Sequence, residues 1–135
     1  MIEIINRQRK HPVPTRAIRR LVESLAARYR LADPDLVLAF VGSDRIRTLN
    51  RKFMKKDRPT DVLSFPLGRT GPDGRFYLGD IVVAVPVAAR QAREERIGLE
   101  RELKILVIHG FLHLLGFGHG AGIGAEERAA RERFL

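Results

Sequence analysis

Apolar residues recur along the chain at two spacings, one of period two and one near 3.6, which predict strands and helices in turn. Ile2-Glu3-Ile4 alternates like a short strand. From Pro14 to about Tyr29, Ile18, Leu21, Val22, Leu25 and Ala26 fall at helical intervals and leave Arg16, Arg19, Arg20 and Arg28 for a wet face. Leu36–Val41 reads as a buried strand. Ser43 stands where it can cap a second helix reaching about Phe53, with Ile46, Leu49, Asn50 and Phe53 on one side.

A polar, basic connection over Lys55–Arg58 leads through Pro59 to a strand at Val62–Phe65. The stretch Gly68 to Gly74 holds Gly71-Pro72-Asp73-Gly74, a strong turn signal before a strand at Leu78–Val85. Pro86 suits the first turn of a helix from Val87 to about Arg96, which Gly98 breaks. Leu99–Leu115 then reads as a helix apolar over most of its circumference beyond Lys104, so it is expected to be buried on most sides. Gly116 and Gly118 end it, a glycine-rich loop runs to Gly124, and Glu126–Leu135 forms a last short helix. The order of elements predicts a small α/β (α+β) sandwich of four strands and about five helices, as a single domain over 1–135.

The length of 135 residues is enough for a real core, and the 44% apolar content supplies it. No apolar run approaches the roughly 20 residues of a membrane-spanning helix, and the N-terminus turns polar too soon for a secretory signal. The absence of cysteine excludes disulfides, a thiol nucleophile and thiolate metal sites. These features predict a soluble, cytoplasmic protein.

Charge sharpens the picture. The formal net charge is +9, and the excess lies entirely in the first 58 residues, which carry 15 Lys and Arg against 6 Asp and Glu. The remainder holds 10 of each sign. Such one-sided basicity is the electrostatic footprint of a nucleic-acid binder; it is equally that of a solvated surface that aids solubility.

Three of the four histidines fall within His109-Gly-Phe-Leu-His113-Leu-Leu-Gly-Phe-Gly-His119. Four helical residues turn through about 400°, so His109 and His113 share a face and their imidazoles can converge on one ion. Gly116 can adopt the left-handed conformation that ends a helix, and Gly118 gives further freedom for His119 to come round as a third ligand. Three imidazoles and an open fourth position describe a catalytic rather than a structural zinc site. The competing explanation is three core histidines satisfied by neighbouring backbone; it leaves the two glycines and the ligand spacing unexplained, and burying imidazoles is costly without partners. Nickel or copper would also suit three imidazoles.

The spacing is also that of the metzincin proteases, which place a glutamate general base directly after the first histidine. Here that position is Gly110, so the metal frame is shared while the chemistry differs.

The sequence resembles the YbeY endoribonuclease family of ribosomal RNA maturation. Three segments carry the resemblance: His109–His119; Leu49-Asn50 followed by Lys56-Asp57-Arg58-Pro59-Thr60-Asp61-Val62-Leu63-Ser64-Phe65-Pro66; and Leu78-Gly79-Asp80-Ile81-Val82. Two departures stand out. Gly118 replaces the aspartate usual before the last histidine, and Met54 aligns with an arginine associated with RNA cleavage. The resemblance implies an α/β fold with a small mixed sheet. It also implies one zinc per chain in a hydrolase that cuts single-stranded RNA, especially the 3′ end of small-subunit ribosomal RNA, and the small ribosomal subunit as partner.

In such a site zinc would acidify a water and polarise a phosphoryl oxygen while cations steady the developing charge. Arg51, Lys52, Lys55, Lys56 and Arg58 are candidate contacts to the RNA backbone. Asp61 and Asp80 are each candidates for a general base or a partner to a histidine N–H; both can instead serve local turns through side-chain to backbone bonds, the reading favoured for Asp80 and left open for Asp61. Glu126 and Glu127 read as carboxylates suited to the start of the last helix. Two further functions stay open at this level: a non-catalytic, zinc-stabilised ribosome-assembly factor, and a metal peptidase, against which Gly110 speaks.

Overall fold

The computed structural model describes residues 1–118 and 122–135. Nine elements run in the order β1 (Ile2–Asn6), α1 (Thr15–Arg28), β2 (Asp35–Val41), α2 (Ser43–Met54), β3 (Val62–Thr70), β4 (Phe76–Ala84), α3 (Val85–Glu95), α4 (Leu99–Leu114) and α5 (Ile123–Phe134). The four strands form one sheet in the order β1-β2-β4-β3; β1, β2 and β4 are parallel neighbours and β3 runs antiparallel to β4. The four strands and five helices are those the apolar pattern predicts, and their joining in one mixed sheet is what the family resemblance implies. Among the described residues no helix is long and apolar enough to cross a membrane.

The main core forms where Ile18, Val22 and Leu25 of α1 meet Leu38 and Phe40 of β2, Ile81 and Val83 of β4, and Leu103, Val107, Phe111 and Leu112 of α4. α1 supplies the stripe its periodicity predicts, and β2 and β4 turn alternate residues towards it. A second, smaller cluster brings together Val41, Ile46, Leu63, Val82, Ala84 and Val87. Helices therefore cover both faces of the sheet, and α4, deepest in the core, is fixed in depth and rotation.

Several features differ from those the sequence predicts. Gly42, not Ser43, is the N-cap of α2, and no side chain caps that helix. Phe53 is 54% exposed although it shares the helix side of buried Ile46. β3 runs on through Pro66 and Gly68 to Thr70, past its predicted end at Phe65, while the predicted turn at Gly71–Gly74 forms, the Gly74 N–H donating to the Gly71 carbonyl at 3.0 Å. β3 is an edge strand, so Pro66 breaks no ladder on its outer side, and the register shift between Pro66 and Arg69 absorbs the irregularity. α5 begins at Ile123, three residues before the predicted start, with Gly122 in the left-handed region as its N-cap and Ile123 buried.

Candidate active site

The site is built on the C-terminal half of α4. The helix ends where the glycine signal predicts: Gly116 adopts φ +96°, its N–H donates to the His113 carbonyl at 3.0 Å, and the Phe117 N–H donates to the Leu112 carbonyl at 3.1 Å. His109 and His113 lie one turn apart on one face. Their rings meet edge to face with centroids 4.5 Å apart, and their Nε2 atoms are 3.0 Å from each other. Both side chains are partly buried.

Two nitrogen ligands of one tetrahedral zinc, each about 2.0–2.1 Å from the metal, stand about 3.3 Å apart. The His109 and His113 Nε2 atoms already sit near that separation, so this pair fits a shared ion. His119, the third predicted ligand, lies outside the described residues. Among the described residues, no group of three or more His, Asp or Glu is placed to hold a metal.

A cleft of about 620 Å³ opens over the two rings. α2 contributes Asn50 and Met54 to its wall, the following loop Lys56 and Arg58, and the start of β3 Ser64 and Pro66. Asn50, only 3% exposed, donates from Nδ2 to the Arg58 carbonyl at 2.9 Å, and its own carbonyl accepts the Lys56 N–H at 3.3 Å. The sequence placed Asn50 on an apolar helix side; the structure makes it the pin that folds the basic loop towards the histidines. Arg47 braces the same loop, donating to Asp57 from Nε at 2.9 Å and from Nη2 at 3.3 Å. That guanidinium holds the Asp57 carboxyl below its usual range.

The five predicted phosphate contacts divide. Lys56 and Arg58 line the cleft, as does Met54, which is 41% exposed. Arg51, Lys52 and Lys55 stand outside its wall. Arg51 approaches Asp57 at 3.9 Å, Lys52 lies 5.4 Å over the Phe53 ring, and Lys55 is the left-handed C-cap of α2.

Asp61 borders the cleft, with its carboxylate committed locally: it accepts the Val62 N–H at 2.7 Å, the Thr60 hydroxyl at 3.5 Å and the Gln91 amide at 3.4 Å. Asp80 belongs to the opposite face of the sheet, because its neighbour Ile81 is the residue turned towards α4. It borders a wider groove of about 860 Å³ flanked by Arg7 and Arg45, where desolvation raises its pKa although the residue is exposed.

Sequence reasoning missed the role of α5. Glu126 and Glu127 do more than complement a helix dipole: the Tyr29 hydroxyl donates to Glu126, and Glu127 Oε1 contacts His109 Nδ1. The available signal was spacing, since Glu127 falls between Ile123 and Ala130 on the one buried stripe of the helix.

Comparison with known proteins places this architecture. The model of the family described as endoribonuclease YbeY matches residues 3–134. The endoribonuclease YbeY of Moorella thermoacetica is 40% identical over 98% of this chain and 92% of its own length. That of Geobacter sulfurreducens is 37% identical over 98% and 91%, and that of Aquifex aeolicus 40% identical over 96% and 85%. The solution structure of TM1509 from Thermotoga maritima superposes with a TM-score of 0.66 at 30% identity, covering 99% of this chain and 89% of that one. With fold, histidine helix and near full-length similarity in agreement, the chain belongs to the YbeY endoribonuclease family.

Proposed function

We propose that this endoribonuclease cuts single-stranded RNA in the cytoplasm, maturing the 3′ end of small-subunit ribosomal RNA, with one zinc ion held by His109, His113 and His119. The observation that carries the reading is the 3.0 Å approach of the His109 and His113 Nε2 atoms at the floor of a cleft bordered by Lys56 and Arg58. Two imidazoles turned towards each other suit a shared cation, and two side-chain cations above them suit a phosphodiester chain.

When bound, zinc supplies Lewis acidity, polarising a phosphoryl oxygen and making water acidic near neutral pH. The chain's own groups do the rest. Lys56 and Arg58 hold and orient successive phosphates and offset negative charge that builds at the reacting phosphorus. Asn50 sets where those cations stand, by fixing the loop backbone. The local bonds of Asp61 favour a part in shaping the cleft wall rather than in moving a proton. With Met54 at the position aligned with an arginine, the positive charge over the rings comes from the loop after α2 rather than from the helix itself.

The test is cleavage of a labelled single-stranded RNA by zinc-loaded protein. The parent nicks the RNA and His113→Ala does not. Equal cleavage by the variant would trace the activity to a contaminating nuclease and remove the reading.

A further inference from the structure

We propose that Glu127 of α5 is the positioning residue for His109, setting the ring's tautomer and orientation from behind. The inference rests on the reading of His109 as a metal ligand. A neutral imidazole carries one proton, and the nitrogen that lacks it is the one able to ligate. In His109 the two nitrogens face different partners: Nε2 looks towards His113 Nε2 at 3.0 Å, and Nδ1 meets Glu127 Oε1. A carboxylate at Nδ1 accepts a hydrogen bond from the proton kept there and leaves the Nε2 lone pair on the side of His113. A carboxylate behind an imidazole in this way raises the basicity of the ligating nitrogen and stops the ring from rotating.

Glu127 is built for that part. Its side chain is only 17% exposed, so water competes little for the carboxylate. Arg131, one turn later on α5, brings Nη2 to 3.8 Å from the other oxygen, Oε2. The backbone beneath is anchored by buried Ile123 and Ala130, and by the Tyr29 hydroxyl on Glu126.

The experiment is a chelator-competition titration of zinc into the full chain, alongside the melting temperature of each metal-free protein. Glu127→Gln, nearly the same shape without the charge, is expected to weaken zinc binding about 10- to 100-fold while the metal-free melting temperature matches the parent. Zinc affinity within twofold of the parent would overturn the proposal. So would a loss of affinity accompanied by a fall in metal-free stability, because Glu127 would then be a strut between α4 and α5. His113→Ala, titrated in parallel, separates the two layers of argument. If it binds zinc as the parent does, the metal site itself is refuted; if it loses zinc while Glu127→Gln retains it, only the role of Glu127 is.

Discussion

Gly110 on α4 and Ile81 on β4 lie so close that a methyl group on Gly110 would stand 2.7 Å from Ile81 Cγ2 and 3.2 Å from Ser64 Oγ. The Ser64 hydroxyl also donates to the Gly110 carbonyl at 3.3 Å. This contact lets the helix sink onto the sheet and sets the depth of His109 and His113 beside β3. It also explains why a zincin-like glutamate does not follow the first histidine: no side chain fits there.

Gly110→Ala therefore destabilises the protein. The gain in helix propensity is about 1 kcal/mol, against about 1–3 kcal/mol for overpacking against fully buried Ile81. A net loss of about 1 kcal/mol in urea unfolding is expected. Gly79→Ala should cost more, because φ is +142° and the added carbon would collide with the Phe65 carbonyl oxygen. Ranking the two by unfolding midpoint checks the argument; a stabilised Gly110→Ala would contradict it.

Asn50→Leu keeps the volume of the side chain and removes the bond to the Arg58 carbonyl. Loss of this part-buried hydrogen bond costs about 0.5–1.5 kcal/mol. The variant should lose that stability and also bind single-stranded RNA more weakly, because the loop carrying Lys56 and Arg58 is released. Fluorescence anisotropy and urea unfolding read the two effects; lost stability with unchanged RNA affinity would show that the loop holds its place without Asn50.

The basic residues should sort by position. Lys56→Ala with Arg58→Ala removes two cations from the cleft wall, so the slope of log affinity against log salt should fall by about 1.4, at about 0.7 for each single-strand phosphate contact. Arg51→Ala with Lys52→Ala should leave the slope close to that of the parent, since those side chains stand by Asp57 and Phe53. The reverse ranking would move the RNA path away from the histidines.

Glu102 gives a test that reads pH. Its side chain is buried, Oε2 has no hydrogen-bond partner among the described residues, and burial raises the carboxyl above its ordinary 4.5. Glu95 and Asp61 add to the rise and Arg131 opposes it. With the folded-state pKa raised, the proton is held more tightly in the native state, so this contribution to stability is present below about 4.5 and is lost as pH rises through the folded value. Glu102→Gln cannot ionise and should gain melting temperature relative to the parent between pH 4.5 and 7.5. A difference that stays constant with pH would mean Glu102 titrates normally.

Much of the fold was legible because periodicity reports burial directly. Ile18, Leu21, Val22, Leu25 and Ala26 were predicted to face a core and all five do. Gly116 was predicted to end α4 and takes the positive φ that role needs. Legibility failed where partners are distant in sequence. β3 continues through Pro66 and Gly68 because β4 supplies its ladder, which no local pattern announces. Glu127 meets His109 across 18 residues, and Asn50 meets Arg58 through a loop whose path only the tertiary structure defines. The histidine pair was legible because one helical turn joins it.

The central claim is that three imidazoles share one ion, and X-ray absorption at the zinc edge of the loaded protein tests it most directly. The account predicts three imidazole nitrogens at about 2.0–2.1 Å, reduced to two in His119→Ala. A shell without imidazole, or one that His119→Ala leaves unchanged, would contradict it.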